Sequence, residues 1–204
     1  MTIARRRDAR PRRRIKRGMD TLSLARFDRT LALPSGERLR LRPIRPDDES
    51  RLSELYDRSS RDTRYQRFFT VMRRLPADWA RFLANVDYDR RFALVVEDLT
   101  APSTSLIGVA RYEPVEEGVA EVAFVVEDRW QGKGLGTLLV TELFRAATEN
   151  GITRFRAWVL ADNRRMLALF ARHADVLERR LEQGVVELML APKDYRPRTV
   201  STGQ

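Results

Sequence analysis

The hydrophobic positions along the chain follow two different periods, and the changes between them predict an order of strands and helices. Leu39 and Leu41 alternate with arginines, which is typical of a half-buried strand over residues 38–43. Further strand patterns cover residues 92–97, 106–112, 119–127, 155–160, 176–181 and 185–190. Apolar residues at helical spacing predict helices over residues 49–58, 62–69 and 163–172, from Pro76, and from Leu135 through Ala147.

This order places one strand before three helices, followed by three strands, a helix, a strand, a helix and a final strand pair. It predicts an α+β domain in which helices flank a central mixed sheet of about seven strands. Residues 21–34 are ambiguous and lead toward the first strand, whereas residues 191–204 are predicted to form a polar tail. In the third helix, Trp79, Phe82 and Leu83 share one apolar face.

A glycine-rich loop joins the strand over residues 119–127 to the longest predicted helix. It runs Gln131-Gly132-Lys133-Gly134-Leu135-Gly136, and Thr137 follows it. Glycines let the backbone approach a ligand closely, and the first N–H groups of a helix have no partners inside that helix. With the positive end of the helix dipole they form a site for phosphate oxygens. The loop therefore indicates a phosphate-bearing ligand; the alternative is a connection that binds nothing.

Two common phosphate-binding loops fit this stretch poorly. A Walker A loop requires Ser or Thr after Gly-Lys, and here Gly134 follows Lys133. A dinucleotide-binding fingerprint requires a third glycine where Thr137 stands, and an early strand of a parallel sheet. The spacing therefore favours neither of these two nucleotide-binding classes.

Composition limits the chemistry available to the chain. Its 204 residues are 43% hydrophobic, enough to fill one core, and no apolar run reaches the ~18 residues of a membrane helix. Cysteine is absent, which excludes disulfides, thiolate metal sites and cysteine catalysis. His173 is the single histidine, which excludes a histidine-rich metal site, and its place at a predicted helix end suggests a C-terminal cap. We therefore expect no metal and a cytoplasmic protein.

The positive charge is concentrated at the N-terminus. Residues 1–18 carry eight arginines and one lysine against one aspartate, which is +8 of the net charge of +10. We expect a disordered basic tail over residues 1–20, a folded domain over residues 21–192 and a flexible C-terminal tail over residues 193–204. The basic tail suits contact with nucleic acid or another acidic surface. It is also compatible with a solvated segment, or with a true start at Met19.

Deleting residues 1–18 is expected to leave the melting temperature unchanged, because the segment contributes few apolar residues to a core. Thermal unfolding of the full and the truncated chain measures this. A large drop on deletion would show that the tail packs on the domain. If the tail binds nucleic acid, the affinity must fall steeply with salt concentration, since counterions are released on binding.

The glycine loop and its flanking elements resemble the GNAT acetyltransferases. In that family the loop between a strand and a helix carries Arg or Gln, then Gly three positions later, then Gly or Ala two positions after that. Gln131, Gly134 and Gly136 have this spacing here. The resemblance extends from about Leu39 to Leu190 and implies the GNAT fold. It also implies that the loop amides hold the pyrophosphate of acetyl-CoA, a co-substrate. The implied contacts are Gln131, Gly132, Lys133, Gly134, Leu135, Gly136 and Thr137.

Two longer runs resemble one bacterial subgroup, the Pat-type protein lysine acetyltransferases. Residues 64–69, RYQRFF, are similar to its RYxRFF-like run, and Phe68 and Phe69 are expected to pack their helix on the sheet. Residues 87–91, DYDRR, are similar to its DYDRE-like run, with Arg91 in place of the usual acidic residue. The subgroup implies a protein lysine as acceptor. Its members often carry a further regulatory or synthetase-like domain, for which we expect no room in this chain.

Glu121 is the candidate general base. Attack of an amine on a thioester requires removal of a proton from the amine and hydrogen-bond donors for the carbonyl oxygen. Glu121 is flanked by apolar residues on the strand that leads to the loop, and such surroundings raise the pKa of a carboxyl. The Pat-type resemblance implies the same role at this position. The alternative is a surface glutamate; Glu127, Asp87 and Asp89 are then the next candidates.

The resemblance implies two further cofactor-binding elements. In GNAT proteins the strand before the loop separates from its neighbour, and its free backbone groups, here those of Phe124, Val125 and Val126, bind the pantetheine arm. Ordinary sheet pairing is the alternative. Asn163 matches the Asn of an Asn-x-x-Ala-x-x-x-Tyr motif near the pantetheine, and it also suits a helix N-cap. Phe170 replaces the Tyr that protonates the leaving thiolate, so water or another route must supply that proton.

Three functions stay open from the sequence. The first is acetylation of a protein lysine, the second is acetylation of a small amine, and the third is a non-catalytic domain that senses acetyl-CoA or binds nucleic acid through its tail. The subgroup runs favour the first function. The intact loop together with Glu121 disfavours the third.

Overall fold

The computed structural model describes residues 24–70, 72–100 and 104–193. The strands in these ranges are β1 (Arg29–Ala32), β2 (Arg38–Pro43), β3 (Phe92–Asp98), β4 (Ser105–Glu116), β5 (Val119–Val126), β6 (Arg154–Leu160), β7 (Ala174–Glu182) and β8 (Val185–Pro192). The helices in these ranges are α1 (Glu49–Arg58), α2 (Arg61–Phe68), α3 (Ala77–Ala84), α4 (Leu135–Glu149) and α5 (Arg164–His173). The predicted α+β class is confirmed, and β1 brings the described sheet to eight strands rather than about seven.

The strands form one sheet in the order β1-β2-β3-β4-β5-β6-β8-β7. Every neighbouring pair is antiparallel except β5 and β6, which are parallel and joined through α4. A parallel pair needs such a crossover, because its strands start at the same end of the sheet. The predicted N-terminal tail and all but the first residue of the predicted C-terminal tail lie outside the described residues, so the domain limits stay predictions.

Helices cover both faces of the sheet, and β3 shows how the sequence produces this arrangement. All seven residues of β3 are buried, and successive side chains point to opposite faces. Phe92 and Leu94 pack in the larger core with α4 and α5. Ala93 and Val95 pack in a second core with residues of α1 and α3.

The buried face of α3 differs from the predicted one. Ala80 and Ala84 are buried, whereas Trp79 and Phe82 are 47% and 55% exposed. Small alanines allow α3 to lie close to α1, and the large aromatics are turned outward as a result. Phe68 packs against the second core, and its ring lies 5.5 Å from that of Tyr56 on α1.

The expected packing of Phe69 is wrong. Its φ of 55° is left-handed and ends α2, and its side chain is 38% exposed.

A buried ionic network ties the first helical segment to the sheet. Arg42 is 2% exposed and donates to Asp48 and to Glu97, each at 2.7 Å. Arg51 also donates to Asp48, at 3.0 Å. Burial alone would raise the pKa of the Asp48 and Glu97 carboxyls, but hydrogen bonds from arginine and the arginine charges outweigh burial and lower both pKa values.

Asp48→Asn is expected to lower the free energy of unfolding by roughly 2 kcal/mol, because it leaves Arg42 buried with incomplete charge compensation. Asp47→Asn is the matched control, since Asp47 lies in the same turn and is exposed. Because folding lowers the Asp48 pKa, its contribution is full above the ordinary carboxyl pKa of about 4 and is lost as pH falls through the lowered value. Urea unfolding at several pH values measures both effects. Equal stability of the two variants would show that Asp48 does not compensate the buried charge of Arg42.

Candidate active site

A cavity of about 1040 Å³ opens beside the C-terminal half of β5. Its walls come from β5, from the glycine loop that follows it, from α2, and from β6 and α5. The volume is at the upper end of the range usual for small-molecule sites, so the cavity can hold a large ligand.

The cavity exists because β5 and β6 separate. They pair only at Val119–Arg154, Ala120–Phe155 and Glu121–Arg156. Beyond this point β6 continues along β8, whereas β5 stays paired with β4 on its other side. One edge of β5 from Val122 to Val126 therefore has no strand partner, as the separation inferred for Phe124, Val125 and Val126 requires. All three residues line the cavity.

The glycine loop provides open backbone at the other end of this edge. Gly132 and Gly134 have φ values of 77° and 89°, and a Cβ added at either would meet no atom within 4 Å. Gly134 caps α4, whose first backbone bond runs from the Leu138 N–H to the Gly134 carbonyl at 3.1 Å. The three preceding N–H groups of α4, residues 135–137, therefore have no partner inside the helix, which is the arrangement that binds phosphate oxygens.

Two of the loop residues predicted to bind the cofactor, Lys133 and Leu135, have side chains that do not line the cavity. Lys133 pairs with Glu37 in the β1–β2 turn at 2.6 Å and lies over the Trp130 ring, 4.8 Å from its centroid. Leu135 is buried in the larger core. Gly132, Gly134, Gly136 and Thr137 do line the cavity.

Gln131 joins three elements around the cavity. Its side-chain amide donates to the Val126 carbonyl at 3.0 Å and to the Thr63 hydroxyl of α2 at 3.2 Å. Its side-chain oxygen accepts from Arg165 of α5 at 3.2 Å. These bonds fix the end of β5 between two helices, so Gln131 shapes the cavity whether or not it also contacts a ligand.

Asn163 and Phe170 lie on the opposite wall, on α5. The Asn163 side chain accepts from the Met166 N–H at 3.1 Å, which gives it the predicted N-cap position. Phe170 is buried and packs edge-on against Phe124, with ring centroids 5.8 Å apart. Both residues border the cavity, so the sequence brings together the two elements that the resemblance implied.

His173 ends α5 but does not cap it as predicted. The Lys193 ammonium donates to the Ala171 carbonyl, and the buried Nε2 of His173 has no hydrogen-bond partner among the described residues. The Ala174 N–H donates to the Phe170 carbonyl, so Ala174 and the Lys193 ammonium satisfy carbonyls of the last turn and the His173 side chain does not. The next strand begins at Ala174, directly after the helix.

Glu121 lies at the fork where β5 and β6 separate. Its side chain is half-buried, lines the cavity, and makes no hydrogen bond or ion pair within the described part of the chain. Burial raises the pKa of its carboxyl; the positive charge of Arg67 opposes this rise, and the negative charge of Glu113, opposite it on β4, adds to it. A free carboxylate with a raised pKa can accept a proton from an amine in the cavity.

An ionic cluster on the same face of the sheet was not predicted from the sequence. Glu113 accepts hydrogen bonds from Arg91, at 2.6 Å, and from Arg111. Arg91, which replaces the acidic residue usual in the subgroup, also lies 3.8 Å from the Phe82 ring centroid. The alternation of Arg111 and Glu113 along β4 places them on one face, but only the β4–β5 register puts Glu113 opposite Glu121.

The alternative bases have other contacts. Glu127 is buried and paired with Arg58 at 3.1 Å and with Arg129 at 2.6 Å. Asp87 accepts from the N–H groups of Asp89 and Arg91 and so closes a turn. The residues lining the cavity include Glu121 but neither Asp87, Asp89 nor Glu127.

Within residues 24–70, 72–100 and 104–193, no group of three acidic, cysteine or histidine residues could hold a metal ion. No helix in these ranges is long and apolar enough to cross a membrane.

Comparisons with known proteins agree with this geometry. A family model described as an acetyltransferase (GNAT) domain matches residues 38–173. Acetyltransferase Pat from Mycolicibacterium smegmatis is 36% identical over 170 residues, which is 80% of this chain and 49% of that protein. The GNAT domain of S. lividans PAT has a TM-score of 0.72 at 32% identity, covering 82% of this chain and 98% of the domain.

A third similar protein is a cAMP-binding acyltransferase from Mycobacterium smegmatis, with a TM-score of 0.55 at 29% identity. The match covers 85% of this chain and 52% of that one. This chain thus spans about half the length of two of these relatives and nearly all of the S. lividans domain. The match over residues 38–173, with the S. lividans domain as a close structural relative, shows that the chain belongs to the GNAT acetyltransferase family and is similar to the GNAT domains of Pat proteins.

Proposed function

We propose that this protein transfers the acetyl group of acetyl-CoA to the side-chain amine of a protein lysine in the cytoplasm. The observation that carries the proposal is the position of Glu121, an unpaired carboxylate at the fork of β5 and β6. The unpaired edge of β5 leads from this carboxylate to the glycine loop. It is five residues long, about 17 Å in an extended strand, which suits a long and thin ligand.

The residues around the cavity fit acetyl-CoA. Open glycines and the free N–H groups at the start of α4 match a pyrophosphate, because both donate to anionic oxygens without a side chain in the way. The unpaired edge from Val122 to Val126 offers backbone donors and acceptors to the amides of a pantetheine arm. When bound, acetyl-CoA supplies the reactive thioester.

The reaction needs one base and one proton donor. Glu121 takes a proton from the lysine ammonium, and the free amine nitrogen attacks the thioester carbonyl carbon. A C–N bond forms as the C–S bond breaks, the sulfur leaves with the bonding electron pair, and the nitrogen releases its second proton to water. Because Phe170 carries no hydroxyl group, the sulfur takes its proton from water or from the acid form of Glu121. The carbonyl oxygen gains negative charge on attack, and free β5 N–H groups are suited to stabilise it.

Incubating the purified protein with acetyl-CoA and a bacterial lysate tests the proposal. Acetyl-lysine should appear on discrete proteins, detected by mass spectrometry, and should be absent without the enzyme. Acetylation of polyamines or amino acids with no transfer to protein would instead support a small-molecule acceptor. Binding of acetyl-CoA without transfer to any amine would support a sensing domain.

A further inference from the structure

Arg67 of α2 is an arginine without a polar partner at the acceptor end of the cavity. It lines the cavity together with Glu121. Within the described ranges its guanidinium makes no hydrogen bond or ion pair, and it lies over the ring of Phe68, 4.8 Å from the centroid. One turn earlier, Arg64 donates to the carbonyls of Asp57 and Ser59. Arg61, the third arginine of α2, also makes no hydrogen bond or ion pair within the described ranges, but it is exposed and does not line the cavity, whereas the free guanidinium of Arg67 borders it.

The other cations around Glu121 each contact an acidic residue, and two of them share one carboxylate. Arg91 and Arg111 both donate to Glu113, and Arg156 lies 3.4 Å from Glu187. Burial and the neighbouring charge of Arg111 lower the pKa of Arg67 to about 10, so the guanidinium stays charged at neutral pH. Once Glu121 accepts a proton from the acceptor, the acceptor end of the cavity carries an uncompensated positive charge.

The surface beside Arg67 is apolar and exposed. Phe69 and Trp79 are partly exposed and line the same cavity. Aromatic rings of this kind pack well against the methylene stem of a lysine, whose charged end then continues toward Glu121. A lysine alone, however, brings only positive charge past Arg67, and like charges repel.

We propose that Arg67 binds a carboxylate of the acceptor, and that the enzyme prefers lysines with an acidic residue close by in the peptide. The proposal rests on the proposed lysine acetylation and names the class of acceptor. A guanidinium presents a planar pair of donors that matches a carboxylate, and such charged hydrogen bonds are the strong ones in a site of low polarity. The acidic residue would also offset the repulsion between Arg67 and the acceptor lysine.

A matched peptide series tests this inference on the full chain. Each peptide contains one lysine, with Glu, Gln or Lys placed one, two or three positions before or after it, and kcat/KM is measured for each. The wild type should prefer the Glu peptide over its Gln partner by roughly tenfold or more for at least one position. Arg67→Gln should remove that preference while acetyl-CoA affinity, measured by calorimetry, stays unchanged. Arg67→Lys should keep part of it, because the charge remains but the paired donors are lost.

Arg61→Gln is the control variant, since Arg61 is exposed at the start of the same helix and does not line the cavity. It removes the same charge and should keep the wild-type preference. Equal kcat/KM for Glu and Gln peptides at every position would overturn the inference. So would an Arg67→Gln variant that lowers kcat/KM by the same factor for all peptides, or that weakens acetyl-CoA binding. No transfer to any peptide would overturn the proposed function, together with the inference that rests on it.

Discussion

Glu121→Gln is expected to lower the rate of acetyl transfer by about 10²–10⁴-fold, because it removes a positioned general base and keeps the shape of the side chain. Acetyl-CoA affinity should hardly change, since the glycine loop lies at the far end of β5 and its donors are backbone N–H groups. Glu117→Gln is the matched control: Glu117 is exposed in the β4–β5 turn, and the substitution removes the same charge. Steady-state kinetics and calorimetry measure the two quantities.

The pH dependence separates a base from a residue that only positions the substrate. Because burial raises the pKa of Glu121, its proton-accepting form is lost as pH falls through that raised value, and wild-type kcat/KM should fall with it. The Glu121→Gln variant should lack this ionisation across about pH 5 to 9, and should keep only the rise caused by deprotonation of the acceptor lysine. A variant with the wild-type rate throughout this range would show that the base lies elsewhere.

The order of elements was predictable because each element carries its own periodic signal. Residues 38–43 and 49–58 were predicted with the limits that the structure shows. The start of β7 was predicted two residues late, since its first apolar signal is Val176 and no turn separates α5 from Ala174. The outward face of α3 depends on which neighbour the helix meets, and that neighbour is set by small residues such as Ala80.

The residues of the site differ in the same way. Some lie in local sequence motifs, and others depend on contacts between residues that are distant in the sequence. The glycine loop, Asn163 and Glu121 lie in contiguous motifs, so their positions around one cavity could be inferred from spacing and resemblance. Whether acetyl-CoA contacts them stays a prediction. The partners of Glu113, and the lack of a partner for Arg67, depend on strand register and on how α2 packs. No sequence spacing encodes those contacts, which is why the arrangement of charges around Glu121 could not be predicted from the sequence.

Gly134→Asp is expected to weaken acetyl-CoA binding by about a hundredfold to a thousandfold, without unfolding the protein. The substitution places a negative charge at the start of α4, where we propose that the loop amides bind the pyrophosphate, and two anions a few ångströms apart repel strongly in a partly dry site. A side chain itself has room, since a Cβ at Gly134 meets no atom within 4 Å. The backbone φ of 89° adds strain, which Asp tolerates better than most residues.

Gly134→Asn separates charge from strain, because Asn has nearly the same shape and the same tolerance of left-handed backbone but no charge. Calorimetry with acetyl-CoA should show Asp binding at least about tenfold more weakly than Asn, and Asn more weakly than the wild type. Thermal unfolding should give similar melting temperatures for the two variants. Gly136→Ala differs from both variants because it acts on packing. Its new Cβ would lie 3.2 Å from the Leu169 side chain and so disturb the packing of α4 on α5. Equal acetyl-CoA affinities for the wild type, Asn and Asp would mean that the pyrophosphate does not lie at this loop.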